Sequence, residues 1–254
     1  QGNGKINETN RDVLRKNKSW TVLADMLIDS KSTNQVLIRA SEALSIVVLD
    51  SQNRDLLLSL PDIVRVLVEL IRDKRKGDVI RGNASTIISN LAFGEDNTGR
   101  DSISENGGVD ALTKLVVSKD VQMSTRIKGA RALVNITSQN HKLSSKQIHW
   151  KSLMNSLKEV KDELYHEAVS ELAANATSTV YNSDIDTSVL RTCWITSPNA
   201  RTRRFGCLTV GNLSSNKDFR DRAVRDDIVE SLMSVLEENN EESNAADNEI
   251  TNPG

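Results

Sequence analysis

Four asparagines close apolar runs in the same way: Ile87-Ile88-Ser89-Asn90-Leu91, Ala132-Leu133-Val134-Asn135-Ile136, Leu172-Ala173-Ala174-Asn175-Ala176 and Thr209-Val210-Gly211-Asn212-Leu213. A side-chain amide both donates and accepts hydrogen bonds, so such a column can serve an exposed backbone as readily as a neighbouring helical turn. Nine residues before the column stand Arg81, Arg126, His166 and Arg203, and Arg39 nine before Val48. An arginine there can either meet a partner or pair within the fold while burying its stem.

Other chemistry finds little support. His141, His149 and His166 lack ligand spacing, and Cys193 and Cys207 form neither a Cys-x-x-Cys pair nor a nucleophile with a nearby base. Gly94-Glu95-Asp96-Asn97-Thr98-Gly99-Arg100 follows a helical segment and lacks Gly-Lys-Ser/Thr, which makes it a turn rather than a phosphate loop. No catalytic residue, metal ligand or cofactor-binding residue is expected, and the chain reads as a non-enzyme. Lys74-Arg75-Lys76 and Arg201-Thr202-Arg203-Arg204 are short basic loops, and 3% aromatic residues give few surfaces on which bases can stack, so nucleic acid is not expected as a partner.

The elements that carry the column follow from its spacing. With Ser45-Ile46-Val47-Val48-Leu49 as a fifth copy, counted at Val48, the intervals are 42, 45, 40 and 37 residues, the period of a helical solenoid. Helices are expected over Trp20–Ile28, Gln35–Leu49, Asp78–Leu91, up to Ile136, His141–Lys158, a short piece within Ile185–Trp194, Phe205–Leu213 and Asp227–Leu236. Pro61 suits the first turn of a further helix, in which Ile63, Val66, Leu67, Leu70 and Ile71 form one apolar stripe, and Gly107-Gly108 breaks the chain before Val109, Leu112, Leu115 and Val116. Five residues before the column, Ala43, Ser85, Ala130, Ser170 and Cys207 are small enough for close helix packing. Trp20, Trp150 and Trp194 suit a core, with Cys193-Trp194 the best candidate for an exposed exception.

The chain has 254 residues, 37% hydrophobic and 27% charged, with 12 Gly and 3 Pro, enough for a continuous helical core. Its formal charge is −2, yet residues 237–254 hold six acids and no Lys or Arg, leaving +4 for residues 1–236. Three regions are expected: a lead-in over 1–19, a repeat domain over 20–236, and an acidic tail over 237–254 whose composition predicts disorder. No stretch reads as a signal peptide or membrane span, which fits a cytoplasmic, or else nuclear, protein. Gln1 and the incomplete first repeat suggest a piece of a longer chain.

Taken together, Gly82-Asn83-Ala84 to Ala92 and Glu105-Asn106-Gly107-Gly108-Val109-Asp110-Ala111-Leu112 resemble the armadillo repeat, over roughly residues 20 to 236. The resemblance implies an all-α, right-handed α-solenoid of about five repeats, each ending in a long third helix. It further implies a scaffold or adaptor that binds a partner protein's segment along a concave groove, with Asn90, Asn135, Asn175 and Asn212 clamping the extended backbone. Arg126 and Arg203 are the candidate partner contacts from the basic column. Thr86, Arg131, Glu171 and Leu208 stand where import receptors of this family resemble one another in carrying tryptophan, which argues against basic nuclear localisation signals. A second reading, regulation of a small GTPase by exchange or chaperoning, resembles what some irregular armadillo proteins do and rests on the phrase Asn53-Arg54-Asp55.

Overall fold

The computed structural model describes residues 13, 16–94, 97–138, 148–178 and 185–237, and no strand occurs among them. The chain divides into two compact units, Gln1–His149 and Trp150–Gly254. In the first, α1 (Ser19–Ile28) and α2 (Asn34–Val47) precede two complete triads. One is α3 (Ser51–Leu58), α4 (Ile63–Arg72) and α5 (Gly77–Leu91); the other is α6 (Thr98–Glu105), α7 (Gly108–Val117) and α8 (Met123–Thr137). Each triad runs short, medium, long: 8, 10 and 15 residues. The third helices pack side by side, α2 on α5 and α5 on α8.

The second unit contains α9 (Trp150–Glu159), α10 (Glu163–Thr177), α11 (Thr187–Val189, continued as a π turn over Leu190–Ile195), α12 (Ala200–Leu213), α13 (Lys217–Arg225) and α14 over 228–237. Here α10 and α12 are the third helices, packed against each other. The all-α solenoid pattern expected from the spacing is therefore present, with third helices α2, α5, α8, α10 and α12.

Two local devices repeat along the chain. The residue just before the middle helix adopts the left-handed conformation: Lys18 at φ 52°, Asp62 at 66°, Gly107 at 75° and Asp227 at 57°. A left-handed residue reverses the chain sharply, folding each middle helix back on the short one before it. Elsewhere a polar side chain caps the next helix by accepting its third N–H, as Thr33, Asp50, Asp162, Asn199 and Asn216 do. Close approach is also written into the sequence at Gly99, where a Cβ would sit 2.1 Å from the Leu91 carbonyl oxygen. That glycine lets α6 abut the end of α5.

The core is aliphatic in the first unit, with Leu44, Leu67, Ile87, Leu112 and Leu133 all fully buried. In the second it is built on Trp150, Tyr165 and Trp194. Trp194 is 0% exposed, because Gly206 on α12 lets the indole stem pack against helix backbone. The expected exposed exception is thus core.

Several boundaries differ from expectation for definable reasons. Thr98–Arg100, expected in a turn, opens α6, since Asn97 and Arg100 lock its first turn to α5 through the Ala92 and Gly94 carbonyls. The helix expected from His141 begins at Trp150, after the non-helical Ile148-His149. Residues 139–147, like the acidic tail from 238, lie outside the described residues.

Candidate functional site

The first unit supplies the register against which the column must be read. Val48 is fully buried at the end of α2, whereas Ile46, 44 positions before Asn90, is 59% exposed. The buried set of α2, Ala40, Ser41, Leu44 and Val47, repeats in α5 as Ala84, Ser85, Ile88 and Leu91. The equivalent of Asn90 is therefore Ile46, not Val48, and the equivalents of Ser85 and Arg81 are Ser41 and Leu37 rather than Ala43 and Arg39. Apolar residues at 46, 47, 48 and 49 made the sequence register ambiguous by two; burial resolves it.

With that register the asparagines obey one rule. Asn90 Nδ2 donates to the Ser45 carbonyl at 2.9 Å, Asn135 Nδ2 to the Ser89 carbonyl at 3.0 Å, and Asn212 Nδ2 to the Ala174 carbonyl at 2.9 Å. In each case the acceptor lies one residue before the equivalent position of the preceding third helix. Asn135 also reaches Ser89 Oγ at 2.9 Å, and Asn212 reaches Thr177 Oγ1 at 3.3 Å. These carbonyls fall in the last turns of their helices, where backbone acceptors lose their helical partners. Asn175 holds the equivalent place on α10 and is half-buried like the others.

The basic column performs a second internal task. Arg81 Nε donates to the Ile71 carbonyl at 2.9 Å, and Arg126 Nε to the Val116 carbonyl at 2.6 Å. His166 Nε2 lies 2.7 Å from the Val160 carbonyl, and Arg203 donates to the Ser197 and Pro198 carbonyls at 2.8 and 3.0 Å. Arg81 and Arg126 reach back from a third helix to the last turn of the middle helix before it, and His166 and Arg203 reach the connecting loop that precedes their own helix. Arg126 is 5% exposed and offers no surface to a partner; Arg203 is half-buried. Desolvation lowers the Arg81 pKa from its usual value, with Asp78 and Asp73 opposing the shift.

What the third helices do expose is a grid that sequence reasoning did not assemble. On α2, α5 and α8 the equivalent positions Gln35, Val79 and Ser124, then Arg39, Asn83 and Lys128, then Glu42, Thr86 and Arg131, all lie at least partly open to solvent. Ile46, Asn90 and Asn135 form the next row, and Leu49, Phe93 and Ser138 the last. The spacing i, i+4, i+7, i+11, i+14 is one face of a helix. Its signal in the sequence was present but hidden by the two-residue register error. The last rows open into a cleft of about 870 Å³ lined by Arg54, Leu58, Leu91, Phe93, Asn135 and Ser138 among others. Phe93 is 66% exposed, and the Arg54 guanidinium lies 5.9 Å from its ring centre.

Two residues of the phrase Asn53-Arg54-Asp55 make hydrogen bonds within the fold. Asn53 is buried and donates to the Val47 carbonyl at 3.0 Å; Arg54 donates to Leu49 at 3.1 Å. Among the described residues no group of three or more His, Cys, Asp or Glu side chains is placed to hold a metal, and no helix is long and apolar enough to cross a membrane.

No family profile matches the sequence, and no curated protein matches it. Solved structures do match. A designed armadillo repeat protein in complex with the peptide (KR)4 aligns at TM-score 0.67 and 19% identity, covering 85% of this chain and 89% of that one. The fold is that of the armadillo repeat. Computationally designed armadillo repeat proteins for modular peptide recognition align at TM-score 0.68 and 18% identity, over 85% and 90% of the two chains. An engineered protein from a structural genomics consortium aligns at 0.77 and 22% identity over 89% of this chain, which spans 55% of that one.

Proposed function

We propose that this armadillo chain is a non-catalytic scaffold that binds an extended segment of a partner protein across its third helices. The observation that carries the reading is the open grid on α2, α5 and α8, five rows deep and in register. Helices pack about 8 to 10 Å apart and an extended chain rises about 3.3 Å per residue, so each third helix meets about three residues of such a segment. The kinship with armadillo designs made for peptide recognition supports the same reading.

In this reading Asn90 and Asn135 in the first unit, and Asn175 and Asn212 in the second, each hold the third helices of their own unit in place and present what remains of their amide capacity to a segment's backbone. Arg126 and Arg203 act behind the face, fixing where α8 and α12 begin. A rigid stack suits the task, because little order has to be gained on binding.

The test is selection from a displayed library of random twelve-residue peptides, followed by photo-cross-linking. A cross-linking residue placed at Thr86, mid-grid, should capture selected peptides. One placed at Lys114, exposed on the middle helix α7, should not. Equal capture at the two positions, or no enrichment of any peptide, would exclude the grid as the binding face.

A further inference from the structure

We infer that the segment bound by the first unit is acidic, with an apolar anchor residue at one end. This inference rests on the proposed groove and names the chemistry of its occupant. The grid's charged members are Arg39, Glu42, Lys128 and Arg131. Arg39 and Glu42 pair with each other at 3.2 Å, which leaves that part of the face neutral. Lys128 and Arg131, three residues apart on the exposed side of α8, make no ion pair among the described residues. Two like charges one turn apart repel and weaken a helix slightly, so local stability gives no reason for the pair.

The site is shaped around them. Gly82 on α5 has no side chain to obstruct α8, and a Cβ there would lie 3.0 Å from Thr125 Oγ1 and 3.3 Å from Lys128 Cδ. The Lys128 side chain thus lies over Gly82 of α5, its Nζ 3.6 Å from where that Cβ would stand. A segment running across α5 and α8 places alternate side chains against this pair, where carboxylates gain and lysines or arginines are repelled. The (KR)4 peptide of the designed relative carries the opposite charge from that which this face selects.

Two rows further along Ile46, Leu49 and Phe93 are exposed, and Phe93 lines the cleft together with Leu58, Leu91 and Ala92 and with the charged Arg54, Asp55 and Arg100. The exposed Phe93 ring, together with Leu58 and Leu91 of the same cleft, meets one Leu, Phe or Trp side chain of the same segment. Rows two turns apart lie about 11 Å apart along the helix axis and neighbouring third helices about 8 to 10 Å apart across it, so about four residues of extended chain join the two features and one short motif reaches both.

The library selection decides this separately from the groove itself. Peptides retained by the chain should be enriched at least twofold in Asp and Glu, and should carry an apolar residue near one end. Fluorescence anisotropy on the three strongest should show at least tenfold weaker binding to Lys128→Glu/Arg131→Glu, with a steep loss of affinity between 50 and 300 mM salt. Both substituted side chains are exposed, and a thermal melt checks that the variant folds as before. Retained peptides that cross-link at Thr86 yet show no acidic enrichment, or bind the charge-reversed variant equally, overturn the acidic inference and leave the groove standing. A synthetic peptide of residues 238–254, which carries Glu238, Glu241, Glu242, Asp247 and Glu249, is the decisive control. Binding as tight as the selected pool, with the same dependence on Lys128 and Arg131, would make the chain's own tail the occupant and overturn a partner segment.

Discussion

At the scale of single residues, the two columns that make the sequence legible are joints before they are contacts. Asn90, Asn135 and Asn212 link their third helices to the one before, and Arg81 and Arg126 tie α5 and α8 to their own middle helices. Polar side chains at such joints are retained because backbone acceptors at helix ends need donors. Arg126 makes the sharper test, being 5% exposed with its Nε 2.6 Å from the Val116 carbonyl. Arg126→Met should keep most of the stem packing and leave that carbonyl without its donor, costing about 2 kcal/mol in urea unfolding. A change below about 0.5 kcal/mol would mean that the arginine has no structural part. Spacing alone revealed that these columns exist. It did not reveal their targets, because the acceptors are carbonyls, which every residue carries and no sequence pattern marks.

At the scale of elements, helices with long apolar periodicity were legible and those defined by their ends were not. α4 and α5 follow from their apolar stripes, whereas α6 holds only one strongly apolar residue, Ile103, and exists because Asn97, Arg100 and Gly99 fasten it to α5. α11 is similar: its start is fixed by Asp186, whose carboxylate accepts the Ser188 and Val189 N–H groups and pairs with Lys158 at 2.7 Å. Partial burial works to raise the Asp186 pKa, but Lys158, Ser188 and Val189 outweigh it and lower the value to about 2. The folded pKa thus lies below that of the unfolded chain, near 3.9, so the stabilisation is complete above about pH 4 and fades as pH falls toward 2. Asp186→Asn keeps a capping oxygen and loses the charge. Urea titrations should show the parent losing about 1 kcal/mol more than this variant between pH 4.5 and 2, a figure reduced for solvent screening at a half-open site. Parallel pH profiles for the two proteins would rule out Asp186 as the acid-sensitive joint.

At the scale of the whole molecule, a stack of repeats stores its stability in each repeat and in its nearest-neighbour contacts. The period was readable because every repeat must present the same packing surface to the next, which forces small residues such as Ser41, Ser85, Ala130 and Ser170 to recur fully buried. What could not be read is where the regularity weakens, since the apolar residues of 187–195 fit either an irregular loop or the π turn that sets Trp194 into the core. Trp194 is the place to ask how far cooperativity extends. Trp194→Ala removes a fully buried indole that α12 packs against at Gly206, and such losses cost about 3 to 5 kcal/mol. If the energetics are those of a repeat stack, native-state hydrogen exchange should show that loss in the amides of α12. The amides of α5 and α8 should change by less than about 1 kcal/mol, since they belong to the other compact unit of the chain. An equal fall in protection across α5, α8 and α12 would instead mean that the helices of the two units unfold as one cooperative body, and that a partner's effect on one third helix is felt on every other.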